Sequence, residues 1–389
     1  MFCQLEVLRH CFPSSVKLFL EELPESLDET YERILREITK PNQGHAHRLM
    51  QCLVAAVRPL TVKELAEVLA FDFNVEGIPK LNPGWRWEDQ EEAVMSACSS
   101  LVIIVKDGDS RVVQFSHFSV KEFLTANRLA EPIKDVSRYH IRLEAAHVIL
   151  AQACLGVLLR LDDDIDRDKI ENFPLARYAA QYWTTHARAE NVSSLIKDGM
   201  ECLFDTDKPH FATWLWIQGS IKTMCPGKPE SVPLYYAANL GFCDLTKHLI
   251  TKHPEHVNAR GGGHVTPMHI AAAQGHADIL SLLLEHGADL EGRGLFDQTP
   301  LHLASWGGKL EAARCLLDHG ANINSRMDDD WTPLHWAVYQ EKIQVMQFLL
   351  ERGADADARD DLGKTPSQHA KGKEVIELLS EYGAKSVLE

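Results

Sequence analysis

The sequence predicts a mainly α fold, in which a helical domain with one β-hairpin and a helical connector precede a solenoid of helical repeats. The repeats are indicated by a proline that recurs at positions 233, 267, 300, 333 and 366, and the first of these intervals is one position longer than the other three. Apolar residues recur at helical intervals through most of the chain before the repeats. The segments 101–105 and 112–115 have the composition of a hairpin and are separated by the turn residues Asp107-Gly108-Asp109.

The repeats carry the same short motif at the recurring proline. It reads Thr-Pro-Leu-His at residues 299–302 and 332–335, and Thr-Pro-Met-His at residues 266–269. Threonine can cap a helix that begins with proline, and a glycine after the second helix can adopt the left-handed conformation that ends it. This motif and this period resemble the ankyrin repeat. We therefore expect about five ankyrin repeats over residues 229–389, with degenerate repeats at both ends.

A histidine recurs with the same period, at His269, His302 and His335. Histidine is a common metal ligand, but these copies lie one repeat apart and no cysteine accompanies them. We therefore expect each histidine to fix its own turn through hydrogen bonds. The sequence predicts no metal site.

The resemblance to ankyrin repeats implies that the chain recognises another protein through its hairpin tips and the inner face of the first helix of each repeat. Aromatic residues dominate the binding energy of protein interfaces, and acidic residues at the rim add selectivity. The positions that vary between repeats are therefore the candidate binding residues. In the third repeat these are Leu295, Phe296, Gln298 and Trp306, in the fourth Asp328, Asp329, Trp331, Tyr339 and Gln340, and in the second Gly262, Gly263, Val265, Ala273 and Gln274. The alternative is that Trp306 and Tyr339 pack against adjacent repeats.

The chain before the repeats has the layout of a winged helix. Three predicted helices, the hairpin and a final helix occupy residues 41–130. Thr61 stands three positions before Glu64, which is the spacing of a capping box at the start of a helix. Residues 71–87 contain two prolines and two glycines and are predicted to form a long loop.

A winged helix can place one helix in the major groove of DNA. Here the candidate third helix begins Glu88-Asp89-Gln90-Glu91-Glu92, with four acidic residues and no basic one. The whole chain has 40 Lys and Arg against 56 Asp and Glu, a net charge of −16. Phosphates are repelled by such a charge distribution, so the sequence argues against nucleic acid as the main partner and leaves it as an alternative.

Several segments resemble the region that follows the nucleotide-binding core in fungal NACHT-type ATPases of the STAND class. They are SLDETYERIL at residues 26–35, RPLTVKELAEVLAF at residues 58–71 and VQFSHFSVKEFL at residues 113–124. A winged helix of this kind also carries the name of the GPI inositol-deacylase winged helix. FPLARYAAQYWTTHA at residues 173–187 is similar to the helical connector that precedes ankyrin repeats in these proteins. The resemblance implies four segments: the helical tail of a NACHT module (1–40), the winged-helix domain (41–130), the helical connector (131–228) and the ankyrin repeats (229–389).

Members of that family carry an upstream GxxxxGK[ST] loop whose backbone amides hold phosphates. No such string occurs in this sequence. We therefore expect the chain to bind no nucleotide, and we consider both a truncated gene model and a standalone protein. His117 resembles a position that helps related ATPases to sense bound ADP. Without the core we expect it to pack or to cap a helix.

No sequence signature of an enzyme is present: HExxH, CxxC, GxGxxG and GxSxG are all absent. The sequence therefore predicts no catalytic residue and no cofactor. The longest nearly apolar stretch, residues 148–159, is too short for a membrane span, and the N-terminus does not resemble a secretory signal. Nine scattered cysteines indicate a reducing compartment. We expect a cytoplasmic location, with the nucleus left open.

The sequence thus predicts a non-catalytic recognition protein whose repeats bind another protein of unknown identity. An adaptor subunit that presents a target protein to an enzyme is the first alternative. Nucleic-acid binding through the winged helix is the second.

Overall fold

The computed structural model describes residues 26–75, 77–131, 135–162, 165–219 and 229–382. Most of the predicted tail of a NACHT module, residues 1–25, lies outside these ranges. The described residues form two compact units, one within residues 1–227 and one within residues 228–389. Helices dominate both units, which confirms the predicted mainly α fold. In the described ranges, no helix is long and apolar enough to cross a membrane.

After residue 40 the first unit has the predicted order of three helices, a hairpin and a final helix. Its helices and strands up to residue 125 are α1 (Leu27–Glu37), α2 (Gln43–Ala55), β1 (Leu60–Thr61), α3 (Val62–Val68), β2 (Phe71–Asp72), β3 (Lys80–Leu81), α4 (Gln90–Cys98), β4 (Val102–Asp107), β5 (Ser110–Phe115) and α5 (Phe118–Thr125). Five further helices follow in this unit's described residues: α6 (Leu143–Leu158), α7 (Ala176–Ala187), α8 (Val192–Leu195), α9 (Lys197–Leu203) and α10 (His210–Gln218).

The predicted hairpin forms the wing. Strands β4 and β5 pair antiparallel with Val102 opposite Phe115, and β1 joins the other edge of β5 with Leu60 opposite Val113. The strand order is therefore β1-β5-β4. The predicted capping box at Thr61 is present, since Glu64 N donates to Thr61 Oγ1 and Thr61 N donates to the Glu64 carboxylate.

The predicted loop at residues 71–87 contains a short antiparallel ladder. Strand β2 pairs with β3, with Phe71 opposite Leu81, and both of these side chains are buried. Two-residue strands carry no periodic pattern, so the sequence could not indicate them. Burial of the two apolar side chains is what holds this part of the loop against the helices.

Helix α1 packs against the last helix of the winged helix, α5. The rings of Tyr31 and Phe123 have their centroids 5.4 Å apart, and the Tyr31 hydroxyl lies 2.8 Å from Ser119 Oγ. His117 caps α5, because its Nδ1 accepts a hydrogen bond from Ser119 N. The expected capping role of His117 is confirmed. The domain boundary at residue 40 stays a prediction, and these contacts favour a start before α1.

A buried carboxylate links the winged helix to the helices that follow it. Glu67, on α3, accepts a hydrogen bond from Leu175 N at 2.7 Å, at the N-terminus of α7. The same carboxylate forms an ion pair with Arg86. Burial raises the pKa of Glu67, and this effect outweighs the lowering by the Leu175 amide and by Arg86. The winged helix and the connector therefore share one core.

The second unit is a stack of paired helices. The pairs are α11 (Pro233–Leu240) with α12 (Cys243–Lys252), α13 (Pro267–Gln274) with α14 (Ala277–Glu285), α15 (Pro300–Trp306) with α16 (Leu310–Asp318), α17 (Pro333–Tyr339) with α18 (Ile343–Glu351), and α19 (Pro366–His369) with α20 (Lys373–Glu381). Small and large apolar side chains recur along its core once in each repeat, and all of them are fully buried: Ala271, Ala304 and Ala337, and Leu283, Leu316 and Leu349.

The last pair has the polar outer side expected of an exposed end. Lys373, Glu374, Glu377 and Glu381 are all exposed on α20, whereas Val375 and Leu379 are buried on its inner side. A polar outer side lets this face of the stack contact water.

Candidate protein-binding surface

Three tips of the ankyrin stack, those of the second, third and fourth repeats, are each closed at the base by a buried histidine. In the third repeat, His302 Nδ1 accepts hydrogen bonds from Thr299 N at 3.2 Å and from Thr299 Oγ1 at 2.8 Å. Its Nε2 donates to the backbone oxygen of Trp331, in the following tip, at 3.0 Å. His269 and His335 make the same set of bonds in their own repeats. The predicted structural role of these histidines is confirmed.

Burial keeps these histidines neutral. It lowers the pKa of His302 and of His335 to about 4, and it also lowers the pKa of His269. A neutral imidazole can accept at Nδ1 and donate at Nε2 at the same time, which is what the turn requires.

Neighbouring tips are tied to one another. Asp328 N donates to Phe296 O, and one repeat later Asp361 N donates to Asp329 O, each at 3.1 Å. Arginines that recur once in each repeat add a second row of bonds. Arg293 donates to Arg326 O at 2.6 Å, and Arg326 donates to Arg359 O at 2.8 Å.

Phe296 stands at the third tip in a conformation that is costly for an aromatic residue. Its φ is 53° and its ψ 30°, in the left-handed region that glycine adopts readily. Gly263 holds the equivalent position of the preceding repeat, with φ 70°. The Phe296 side chain is 59% exposed, and Leu295 beside it is also exposed. The tip therefore presents an apolar ring to solvent at a cost in backbone energy.

The inner helices add two more exposed rings. Trp306 lies at the C-terminus of α15 and is 46% exposed, and Tyr339 lies at the C-terminus of α17 and is 38% exposed. These exposures favour a binding role over complete burial between repeats. The Tyr339 ring also carries Lys371 Nζ over its face, 4.1 Å from the centroid.

Trp331 is more enclosed than the other aromatic residues of the predicted site. It is half-buried, and its ring lies 5.0 Å from Trp336, 5.5 Å from Tyr339 and 4.8 Å from His369, measured between centroids. The structure therefore places Trp331 in the packing beneath Tyr339.

The remaining predicted residues divide between tip and turn. Asp328 is exposed at the fourth tip, and Asp329 accepts a hydrogen bond from Trp331 N through its carboxylate. Gln298 and Gln340 are half-buried. Gln298 O accepts from His269 and from Gly294 N, so its backbone belongs to the turn. Of the second-repeat positions, Gly262, Gly263 and Gln274 are exposed, and Val265 and Ala273 are half-buried.

The sequence analysis did not single out Leu362, which is the most exposed apolar side chain of the described tips at 72%. It stands two repeats after Phe296 at the same position of the repeat, so the period could have identified it. We refer to Leu295, Phe296, Trp306, Tyr339 and Leu362 as the apolar surface. Asp328 and Asp361 are exposed acidic residues of the same row of tips.

The side chains of the apolar surface are of the kind that contributes to binding. Apolar and aromatic side chains contribute affinity through burial, and the acidic residues add preference for a basic partner. His302 and His335, at the base of the third and fourth tips, are buried and occupied in the turns.

Comparisons with known proteins identify both parts of the chain. A family model described as "GPI inositol-deacylase, winged helix domain" matches residues 31–133. Two models of ankyrin repeats match residues 234–327 and residues 307–350. Ankyrin repeats are protein-interaction modules, and this confirms the predicted class of partner.

Several curated proteins are similar to this chain. The azaphilone pigments biosynthesis cluster protein L of Monascus ruber is 31% identical over 298 residues, which cover 71% of this chain and 62% of that protein. Two others match over short segments that cover 14% of this chain. BCL-6 corepressor-like protein 1 of Mus musculus is 44% identical over 55 residues, 3% of its length, and alpha-latrocrustotoxin-Lt1a of Latrodectus tredecimguttatus is 39% identical over 56 residues, 4% of its length.

The chain thus spans about three-fifths of the Monascus relative and only a small part of the other two. The family models account for the winged helix and for the repeats separately, and they occur in the predicted order along the chain. A winged helix domain of the GPI inositol-deacylase type thus precedes ankyrin repeats in this chain.

Proposed function

We propose that the chain is the recognition part of a NACHT-type signalling protein and that its repeats bind another protein through the apolar surface without catalysing a reaction. The observation that supports this most is Phe296, an exposed aromatic ring held at a backbone position that favours glycine. Strained residues persist where function requires them, and stability alone does not account for a phenylalanine here. The combination of winged helix and ankyrin repeats supports the relation to NACHT proteins.

The charges around the apolar surface support a partner that carries basic residues. Asp328 and Asp361 are exposed in the row of tips, and Arg326 is already paired with Asp330 at 3.3 Å. A partner segment that combines an apolar side chain with a lysine or arginine suits this arrangement. The acidic residues also disfavour a nucleic acid at this surface.

The first test separates binding from stability by replacing Phe296 with glycine. Phe296→Gly removes the ring and relieves the left-handed strain, so we expect the free energy of unfolding to stay within about 1 kcal/mol of wild type. Binding to the protein partner is expected to fall at least tenfold, the usual effect of losing an interface anchor, which is about 1.4 kcal/mol or more. The measurement is recovery of proteins on the immobilised chain, identified and quantified by mass spectrometry.

Trp306→Ala is expected to reduce the same captured proteins as Phe296→Gly. The matched control is Gln347→Ala, which changes an exposed residue on the outer helix α18 and is expected to leave capture unchanged. Capture that is equal for wild type, Phe296→Gly and Trp306→Ala contradicts the proposal. If the captured protein is the substrate of an enzyme recovered together with it, the adaptor function is favoured over the sensor.

A further inference from the structure

The outer helix of the first repeat ends differently from the next three outer helices. After α14, α16 and α18 the chain turns at Gly287, Gly320 and Gly353, each with φ between 81° and 92°. After α12 the sequence is His253-Pro254-Glu255-His256, and residues Pro254–His256 form a 3-10 turn. The first repeat is one position longer than those that follow, and the alignment of its helices with those of the second repeat places the extra residue in this turn.

Three side chains of this turn bring their donor atoms together. His253 Nδ1 lies 3.2 Å from Glu255 Oε1, and His256 Nε2 lies 3.8 Å from the same oxygen. All three donor atoms lie within 4.8 Å of one another. The two imidazole rings face each other, with centroids 5.0 Å apart and 23° between their planes. Both imidazoles are about four-fifths buried, whereas Glu255 is exposed.

The backbone fixes this arrangement on both sides. His253 N donates to Leu249 O in the last turn of α12 at 2.8 Å, and His256 N donates to His253 O at 3.0 Å. Val257 follows and is buried. Asn258 then bonds to the next repeat, donating to Gly287 O at 2.9 Å and accepting from Asp289 N at 2.8 Å. The backbone that carries the three ligand residues is therefore positioned by the fold.

We propose that His253, Glu255 and His256 bind one zinc ion. Two imidazole nitrogens and one carboxylate oxygen are a donor set that zinc binds at about 2.0–2.2 Å, with a fourth position open to water. Donor atoms at such distances and at tetrahedral angles lie about 3.3 Å apart, close to the two separations of Glu255 from the histidines. Rotation of the imidazole rings, which now stack at 23°, and closure of the 3.8 Å separation would complete the geometry.

The donor set also selects the class of metal. Imidazole suits zinc, copper and nickel, whereas magnesium and calcium prefer oxygen ligands. The ion would bridge the end of α12 and the turn into the second repeat, so it stabilises the folded first repeat by mass action. This inference is independent of the apolar surface and stands whether or not that surface binds a protein.

The experiment uses the full-length chain without a polyhistidine tag, stripped of metal with a chelator and then titrated with zinc in a calorimeter. We expect one zinc per chain, no binding of magnesium in a parallel titration, and a higher Tm when zinc is present. His253→Ala and His256→Ala are each expected to weaken zinc binding at least tenfold and to abolish the increase in Tm. Visible absorption of Co²⁺ in place of zinc reports a site with nitrogen ligands.

The matched control is His286→Ala, which removes an exposed histidine near the corresponding end of the next outer helix. Zinc affinity that is the same in wild type, His253→Ala and His256→Ala overturns the proposal, and so does an equal loss in His286→Ala. If either alanine variant fails to fold without metal, Glu255→Gln serves in its place, because it changes an exposed side chain. It is expected to weaken zinc binding while the Tm without metal stays at the wild-type value.

Discussion

His302 is fully buried in the third repeat and uses both of its ring nitrogens. One nitrogen holds Thr299, which caps helix α15, and the other holds the backbone of the next tip. In the last repeat a glutamine takes the place of this histidine, since Thr365 N donates to Gln368 Oε1 at 2.9 Å. Glutamine can therefore close an ankyrin turn in this protein without an ionisable ring.

Replacing His302 with alanine is expected to lower the free energy of unfolding by roughly 2–4 kcal/mol, because a helix cap is lost and buried polar groups lose their partners. His302→Gln is expected to cost less, since it restores the bond found in the last repeat. Urea denaturation at pH 7 measures both. His286→Ala, at an exposed position, should stay within about 0.5 kcal/mol of wild type. Equal losses for His302→Ala and His286→Ala would contradict the role assigned to His302.

The buried histidines also predict how stability depends on pH. The pKa of His302 is about 4 in the folded protein, because burial disfavours the charged ring, and about 6.5 in the unfolded chain. Between these values the unfolded chain binds a proton that the folded protein does not. Stability is therefore lost as the pH falls from about 6.5 towards 4, by up to about 1.4 kcal/mol per pH unit for each such histidine.

His302→Gln removes one of these protons. The difference in unfolding free energy between wild type and His302→Gln is therefore expected to change in favour of the variant as the pH is lowered from about 6.5 to about 4.5. Urea denaturation at several pH values measures the difference. If the unfolding free energies of the two proteins change with pH to the same extent over this range, this explanation is contradicted.

At the scale of the element, the N-terminus of α7 depends on a carboxylate from the winged helix. The Glu67 side chain is 2% exposed and is held by Leu175 N and by Arg86, whose own side chain is one-third exposed. A buried charge that loses its partner is destabilising, whereas the loss of an exposed pair changes little. The stability of the contact between α3 and α7 is therefore expected to depend on the presence of Arg86.

We expect Arg86→Met to lower the free energy of unfolding by roughly 2 kcal/mol at pH 7.5, a value reduced from that of a fully buried pair because Arg86 reaches solvent. The loss is expected to be smaller at pH 5. Without Arg86 the folded-state pKa of Glu67, already raised by burial, rises further, and a protonated Glu67 needs no cation. The control is Arg111→Met, which removes an exposed ion pair between Arg111 on the wing and Glu91 on α4. A loss for Arg86→Met that does not depend on pH argues against this account.

The elements themselves were predictable wherever a period or a cap is present. The hairpin followed from two β-branched segments around Asp107-Gly108-Asp109, and the start of α3 followed from Thr61 and Glu64. The ladder of β2 with β3 was not predictable, because two residues show no alternation.

At the scale of the whole stack, each repeat is covered by its neighbours, so the position of a defect determines how far it spreads. Leu316 is fully buried in the third repeat, and Leu379 is fully buried in the last. Leu316→Ala is expected to cost about 3–4 kcal/mol and to expose the amides of the second, third and fourth repeats to exchange. Leu379→Ala is expected to expose only α19 and α20. Hydrogen exchange read by mass spectrometry distinguishes the two, and identical patterns would argue that the stack unfolds as one unit.

Much of the candidate surface followed from the period alone, since Phe296, Trp306 and Tyr339 stand where the repeats vary. The half-burial of Trp331 did not, because the residue that covers it, His369, lies in the degenerate last repeat. His369 also pairs at 2.7 Å with the buried carboxylate of Asp360. The proposed zinc-binding arrangement of the first repeat was missed because its three ligands occupy four consecutive positions, a spacing that matches neither a helix face nor a paired-cysteine motif.

The bonds that tie Phe296 to Asp328 and Asp329 to Asp361 give the row of tips a constant pitch. Phe296 and Leu362 are therefore held two repeats apart, Phe296 through its backbone oxygen and Leu362 through its amide, which donates to the Asp360 carboxylate at 3.0 Å. A protein that engages both must carry its own apolar side chains at a matching interval. If the repeats bind a protein as proposed, the row of tips would select it by length, because a target whose anchors are one residue further apart or closer together would engage only one of the two side chains at a time.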